Sequence, residues 1–177
     1  YEVEVKKENV EDAQFVFAIS SQGCVNQHCQ NVELKKTPFS MSCGNVIQNP
    51  LAETGDRVTI DWGYLHLCDK NAHISEPPSM FSGIKNIGRS TDTRNTGRNF
   101  PLNKAYNAHS EAPYLYVVKE EMSGVITVGY DEIKPIEYFH TQLDEYYTKY
   151  FESFEEMVNA AIKEYPEIKK MCDEFDS

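Results

Sequence analysis

The acidic residues at the end of one predicted β-strand are the first candidates for chemistry in this sequence. Asp131 and Glu132 follow Gly129 and Tyr130 at the end of an apolar run, and Glu137 lies shortly beyond them. Hydrolysis of a glycosidic bond uses two carboxyl groups roughly 5 to 10 Å apart across that bond. A strand end beside a glycine could bring these acids to a site at a domain edge. We favour the alternative, in which Tyr130, Asp131 and Glu137 organise a strand-to-helix turn, because a turn aspartate commonly hydrogen-bonds its own backbone.

Asp61 and Trp62 form a second candidate, as a platform for a ligand. Trp62 shares a strand face with Val58 and Ile60, which favours a place in the core instead. Amide hydrolysis would need a serine, threonine or cysteine beside a base and an oxyanion hole. The sequence identifies no such pair, no G-x-S-x-G motif and no glycine-rich phosphate loop. We therefore assign no catalytic residue.

The histidines and cysteines show no spacing typical of a metal site. The cysteine count is odd, which leaves at least one thiol free if the others pair. Three states stay open: reduced cysteines, which we favour, one disulfide, or a bound metal. We predict no cofactor and no metal. The residues concerned are His28, His66, His73, His109 and His140, with Cys24, Cys29, Cys43, Cys68 and Cys172.

Composition predicts a folded protein and excludes several classes of partner. The chain has 177 residues, of which 40% are hydrophobic, and a net charge of −11. A negative surplus disfavours nucleic acid and anionic membranes, because both bind lysine and arginine. No run approaches the roughly 20 apolar residues that cross a bilayer. The sequence begins without a methionine or a signal peptide and closes without a polar tail, so we expect both ends to lie within a longer protein.

Residues 1–139 are predicted to form a β-sandwich. Alternating apolar residues mark the strands, and asparagine, proline and glycine mark the turns between them. In the predicted strand 57–67, Val58, Ile60 and Trp62 share one face. Beyond Gly63 the apolar residues are instead Leu65 and Leu67, and this shift by one position predicts a β-bulge at Gly63. A short polar link predicts a hairpin between the last two strands. The predicted strands are Glu2–Val5, Gln14–Ile19, Val32–Leu34, Met41–Ile47, Arg57–Leu67, Pro113–Lys119 and Gly124–Tyr130.

A long loop is predicted at about residues 69–112, which are rich in proline, glycine and small polar residues. Its basic residues could face an anion or an acidic neighbouring domain. We favour solvated charges that balance nearby acids, since charge runs usually face water. The basic residues in question are Lys85, Arg89, Arg94 and Arg98.

Residues 140–177 are predicted to be a helical linker leading to a downstream domain. Helical spacing of apolar residues begins after Thr141, and Ser153 with Glu156 forms a capping box. Pro166 suits the first turn of a further helix. The expected fold is therefore mainly β, a β-sandwich with two or three carboxy-terminal α-helices.

Two segments resemble the amino-terminal β-rich domain of glutaminase A-like proteins. They are Arg57–Tyr64 and Gly129–Phe139, where Tyr130-Asp131 and Ile136-Glu137-Tyr138-Phe139 match the family pattern. Glu132 stands where the family has a second aspartate, and Lys134-Pro135 replaces its usual Tyr-Ser. The strand after Pro113 and the helices near the end of the chain are also similar. The first 50 residues and the loop at 69–112 match poorly.

The resemblance implies a multi-domain hydrolase in which a β-sandwich precedes a helical domain of six-hairpin glycosidase type. The family label is glutamine hydrolysis, whereas the architecture resembles glycoside hydrolases, and fold analogy does not decide between them. It also implies an extracellular or periplasmic location. We predict that this chain is a non-catalytic scaffold for the helical domain, near a carbohydrate or glutamine-containing substrate. The alternative is a carbohydrate-binding module that uses Tyr114 and Tyr116 as exposed aromatics. A third possibility, a self-contained amidase, lacks its nucleophile–base pair.

Overall fold

The computed structural model describes residues 2–4, 15–24, 31–51, 62–75, 101–102, 104–111, 113–119 and 123–176. In these ranges the chain forms strands, two 3₁₀ helices and one α-helix, so the prediction of a mainly β fold is confirmed. The 3₁₀ helices are Ser21–Cys24 and Tyr146–Lys149, and the α-helix, α1, is Phe154–Phe175. The strands are β1 (Glu2–Glu4), β2 (Phe15–Ser20), β3 (Asn31–Lys36), β4 (Met41–Asn45), β5 (Tyr64–Cys68), β6 (His73–Ser75), β7 (Ala105–Asn107), β8 (Tyr114–Lys119), β9 (Ser123–Val125), β10 (Thr127–Asp131), β11 (Ile136–Tyr138) and β12 (Thr141–Leu143).

Two larger sheets enclose one apolar core. The first has five strands in the order β10-β5-β4-β3-β7, and the second has three in the order β2-β8-β6. Their strand pairs are all antiparallel. Strand alternation sends one face of each sheet inward, so Val32 and Leu34 of β3 meet Leu115 and Val117 of β8 in the same cluster. The two sheets thus form a layered sandwich around this core.

Strand β5 begins at Tyr64, immediately after a bend that contains Trp62 and Gly63. Gly63 has φ +91°, a conformation that favours glycine, so it ends the bend and does not form a bulge within β5. The predicted parity of Leu65 and Leu67 is confirmed, because both side chains belong to the core. Trp62 is buried, as expected for a core residue.

The predicted hairpin between the strands on either side of residues 120–122 is wrong. The second run divides into β9 and β10, with Ile126 between them. Strand β8 pairs with β2 and β6, whereas β10 pairs with β5 in the other sheet. A short link permits a hairpin but does not require one. Here the chain crosses from one layer to the other, which lets both strands bury an apolar face.

The predicted helix after Thr141 is also wrong at its start. Residues 136–143 form a hairpin of β11 and β12, whose turn is made by Phe139 and His140 at φ 46° and 61°. A left-handed turn reverses the chain and prevents helix formation at this point. The predicted boundary at residue 139 therefore falls within this turn.

The α-helix α1 begins where the capping box predicts. The Ser153 side chain accepts a hydrogen bond from the Glu156 backbone N–H at 3.2 Å. The predicted second helix starting at Pro166 is wrong, because Pro166 lies inside α1, which continues to Phe175. The described chain has one carboxy-terminal α-helix where two or three were expected.

The segment predicted as a long loop contains short strands at both ends. Strand β6 pairs with β8, and β7 pairs with β3. Three-residue strands carry almost no periodic signal in the sequence, and their pairing with longer neighbours stabilises them. Residues 76–100, with Lys85, Arg89, Arg94 and Arg98, lie outside the described residues.

Candidate functional site

The outer face of the five-stranded sheet carries a buried histidine, His66. Because Leu65 and Leu67 point into the core, the alternate residues Tyr64, His66 and Cys68 point to the opposite face. This face is partly covered by α1, whose Phe154 and Val158 are buried together with Cys68. A histidine is thereby enclosed between a sheet and a helix.

His66 is held between an aromatic ring and a serine. Its ring lies 4.4 Å from the Phe154 ring, centroid to centroid. The Ser40 Oγ lies 3.4 Å from His66 Nδ1 and donates a hydrogen bond to Glu155 Oε1 at 3.2 Å. His66 Nε2 is buried and has no hydrogen-bond partner in the described part of the chain. Burial lowers the pKa of His66, although the charges of Asp131 and Glu155 oppose that shift.

This arrangement differs from a serine–histidine–acid triad in a way that decides its chemistry. In such a triad the acid orients the histidine, and the histidine accepts the serine proton. Here the Ser40 hydroxyl donates to the Glu155 carboxylate instead, and Ser40 is itself buried. A substrate carbonyl cannot reach a buried hydroxyl, so we interpret the Ser40–His66–Glu155 group as a structural network that fixes the start of α1.

The predicted acid Asp131 lies beside a second group of polar residues. Asp131 Oδ1 accepts a hydrogen bond from the Ile133 N–H at 3.1 Å, which is the turn geometry that the sequence favours. Glu145 Oε1 accepts from the Glu132 N–H at 2.7 Å. Burial and the neighbouring Asp131 raise the pKa of Glu145, and burial with the charges of Asp131 and Glu145 raises the pKa of Tyr147. These contacts tie the end of β10 to the segment that leads into α1.

Of the other predicted site residues that the structure describes, Glu132 has a hydrogen bond to this group. The Tyr130 hydroxyl donates to the Trp62 carbonyl at 2.7 Å, and the Tyr130 ring packs against the core. Glu132 contributes its backbone N–H to the Glu145 contact. Glu137 lies on β11, exposed, 3.8 Å from His140 Nδ1. Trp62 is 7% exposed and offers no platform, and Asp61 lies outside the described residues.

Tyr116 is not the exposed aromatic that the carbohydrate-binding alternative requires. It is 7% exposed, and its ring lies 5.5 Å from the ring of His73. Tyr114 is half-buried. Both tyrosines face away from Leu115 and Val117, but short strand β6 brings His73 across Tyr116. The alternation within β8 does not show whether a neighbouring strand covers Tyr116, so the sequence did not predict that a three-residue strand would bury it.

Ser40, Glu145, Tyr147 and Glu155 were not identified from sequence. Ser40 lies 115 positions from Glu155 and no spacing motif relates the two, so only the fold brings Ser40 to the start of α1. Their one signal is the capping box at Ser153, which places Glu155 in the first turn of α1.

Two further findings concern the described residues as a whole. No group of three or more histidine, cysteine, aspartate or glutamate side chains in these ranges could hold a metal ion. The helices that the structure describes include none that is both long and apolar enough to span a membrane.

Exposed aromatic residues are concentrated between positions 136 and 150. The rings of Tyr138 and Phe139 lie 4.5 Å apart, and those of Tyr146 and Tyr150 lie 5.5 Å apart. All four are exposed, Phe139 at 82% and Tyr146 at 68%. Ile136 and Leu143 of the same hairpin are exposed as well. We call residues 136–150 the aromatic segment.

Comparison with known proteins places the chain in a family. The sequence model of a family described as a domain of unknown function (DUF5127) matches residues 1–177. No curated protein and no solved structure matches the chain. Because the match spans the whole chain, from β1 through the aromatic segment to α1, this protein belongs to the DUF5127 family.

Proposed function

We propose that this chain is a non-catalytic scaffold domain of a glutaminase A-like multi-domain hydrolase. In this proposal it packs against a helical domain of the same polypeptide, which carries the chemistry on glutamine or on a glycoside. The observation that carries the proposal is the exposure of the aromatic segment. The resemblance of residues 129–139 to the glutaminase A-like pattern supports the choice of family.

The aromatic segment has the composition of a protein-binding surface. Tyr138 is 64% exposed and Phe139 is 82% exposed, and they occupy the end and the turn of a hairpin. Large side chains of this kind are enriched at interfaces, where burial of one aromatic contributes a large apolar area. An exposed apolar surface of this kind lowers the solubility of a protein unless a partner covers it. A partner surface that is apolar and concave would remove this cost.

The helix α1 supports the same conclusion. Phe154 and Val158 bury one side of its first half against Cys68 and Tyr147. In its second half, Ile168, Met171 and Phe175 are exposed. An apolar stripe on a helix normally faces a core. The exposed part of α1 therefore suits a second packing partner, as a helical domain would provide.

The described residues provide little for catalysis in this chain itself. Ser40, whose Oγ lies 3.4 Å from His66 Nδ1, is buried and donates to Glu155. Asp131 accepts a hydrogen bond from the Ile133 N–H within its own turn, and Glu145 accepts one from the Glu132 N–H, which joins two segments of the chain. These roles favour a scaffold over a self-contained amidase.

The test is association between this chain and the helical domain of the same polypeptide, prepared separately. We expect binding measurable by titration calorimetry, weakened at least tenfold by the double substitution Tyr138→Ser with Phe139→Ser. The matched control is Phe39→Ser, which changes another exposed aromatic in the turn between β3 and β4. If both variants weakened the binding equally, or if the unmodified chain did not associate with the helical domain, the scaffold proposal would be refuted. Ammonia release from glutamine by this chain alone would refute its non-catalytic role.

A carbohydrate-binding module is the second candidate, and one observation favours it. The Tyr146 and Tyr150 rings are exposed, and their hydroxyl oxygens lie 3.0 Å apart. Exposed tyrosines can stack on sugar rings while their hydroxyls bond to sugar oxygens. Retardation of the chain in gels that contain soluble glycans, abolished by Tyr146→Ala, would support this function. Migration independent of glycan would exclude it for the glycans tested.

A further inference from the structure

Two cysteines that are distant in the sequence lie together in the core. Cys24 ends the 3₁₀ helix Ser21–Cys24, and Cys43 is the middle residue of β4. Both are completely buried, and their Sγ atoms lie 3.6 Å apart. The contact joins the two layers of the sandwich, because the 3₁₀ helix directly follows β2 of the three-stranded sheet, while β4 belongs to the five-stranded sheet.

Neighbouring groups hold this pair in place. The Cys24 Sγ also donates to the Ser21 carbonyl at 3.0 Å. Asn45, two residues beyond Cys43 on β4, donates its Nδ2 to the Cys24 carbonyl at 2.9 Å. The backbone of Cys24 is therefore fixed against β4 independently of the sulfur contact. This fixed geometry favours a bond between these two cysteines over other pairings.

We propose that Cys24 and Cys43 are a disulfide-forming pair that can link the two sheets covalently. A disulfide has an S–S length near 2.05 Å, so the sulfur atoms must approach each other by about 1.5 Å from their present separation. Rotation of the two side chains is the simplest way to supply this movement. The bond would close a loop that contains β3, which occupies an interior position in the five-stranded sheet.

The oxidant in this proposal is a low-molecular-weight disulfide, for which oxidised glutathione is the test reagent. One cysteine loses its proton, and the thiolate attacks a glutathione sulfur and releases one reduced glutathione. The second cysteine then loses its proton and attacks the protein sulfur of the mixed disulfide, which releases the other reduced glutathione. Two protein thiols are oxidised to one disulfide, and one oxidised glutathione is reduced to two thiols. Both protons end on the released thiols.

The folded protein should react slowly. The contact with Cys24, together with burial, raises the pKa of the Cys43 thiol, so its thiolate is rare in the folded state. The thiolate is the reacting form, and complete burial also blocks access by glutathione. The bond should therefore form mainly while the chain folds, before the two sheets close over the pair.

The first experiment maps the bond. The 177-residue chain is refolded in a mixture of reduced and oxidised glutathione, alkylated and digested with trypsin without reduction. Cleavage after Lys7, Lys35, Lys36 and Arg57 places Cys43 in peptide 37–57 and both Cys24 and Cys29 in peptide 8–35. We expect these two peptides to be linked, and the same linkage to form in the Cys29→Ser variant. A linkage lost in Cys29→Ser, or no linkage at all, would overturn the proposal.

The second experiment measures the consequence of the bond. A loop of this length should raise the Tm of the oxidised chain by roughly 5 to 10 °C relative to the reduced chain. The rise should vanish in Cys43→Ala and persist in Cys172→Ser, which changes an exposed cysteine near the end of α1. If Cys43→Ala does not fold, the peptide mapping decides alone. A rise that persists in a folded Cys43→Ala variant would show that another pair is responsible.

Discussion

Phe154 lies directly over Gly129, and this contact fixes the helix on the sheet. A Cβ atom on Gly129 would lie 2.4 Å from Cζ of Phe154. Gly129 pairs with His66 across β10 and β5, and the His66 ring also contacts Phe154. One ring thus rests on a glycine and a histidine from neighbouring strands. The absence of a side chain at Gly129 makes room for it.

Gly129→Ala should therefore destabilise the protein. The added methyl group overlaps a buried ring, and overpacking of this kind costs about 1 to 3 kcal/mol. Urea denaturation followed by fluorescence measures the free energy of unfolding. The control is Gly124→Ala, because a Cβ at Gly124 meets nothing within 4 Å. Comparable losses in both variants would mean that the contact with Phe154 is not the cause.

Phe154→Ala should remove the packing between α1 and the sheet. Phe154 is buried against Cys68 and Val158, and loss of a buried phenylalanine typically costs about 3 to 5 kcal/mol. We expect a lower urea midpoint and increased amide exchange in the first half of α1. Phe175→Ala is the matched control, because Phe175 lies at the other end of the same helix and is 91% exposed. Its midpoint should remain within error of the unmodified chain.

The stability of the protein should fall as the pH decreases below about 6.5, the ordinary pKa of histidine. Burial lowers the pKa of His66 in the folded protein, so in this range the unfolded chain binds more protons than the folded chain. The free energy of unfolding is therefore highest above the pKa that the histidine has in the unfolded chain. It falls as the pH drops through the lower pKa that the histidine has in the folded protein. His73 has the same direction of shift, again because of burial, and adds to the effect.

His66→Gln isolates the contribution of His66. We expect the free energy of unfolding of this variant to depend less steeply on pH between 7 and 5 than that of the unmodified chain. His140→Gln is the control, because the His140 side chain is fully exposed. An unchanged pH dependence in His66→Gln would contradict the assignment of the titration to this residue.

Pro166→Ala should strengthen the second half of α1. Proline inside a helix has no N–H to donate to the carbonyl four residues earlier and can cost about 3 kcal/mol. Residues after Pro166 are largely exposed, so the gain should be local. We expect a stronger helical signal in circular dichroism and slower amide exchange after residue 166, with little change in the urea midpoint. Slower exchange throughout the two sheets would show instead that this half of α1 is coupled to global unfolding.

The order of residues is sufficient to predict the mainly β class of fold and the shared face of two leucines in β5. The spacing of Leu65 and Leu67 in β5 predicted that both lie on the same face, and both contribute to the core, since side chains on a strand point to opposite faces in turn. The capping residues at Ser153 and Glu156 likewise predicted where α1 begins, because exposed backbone donors need acceptors nearby in the chain. These features depend on local chemistry, which the order of residues contains.

The way in which these elements combine is a property of the tertiary structure. Three features contradict the sequence-based expectation: the pairing of β8 with β2, the left-handed turn at Phe139 and His140, and the continuation of α1 through Pro166. The contacts of Phe154 with Gly129 and of Cys24 with Cys43 join residues 25 and 19 positions apart. Contacts of this kind depend on which apolar faces bury each other most completely. That comparison involves the whole chain, so no local pattern in the sequence contains it.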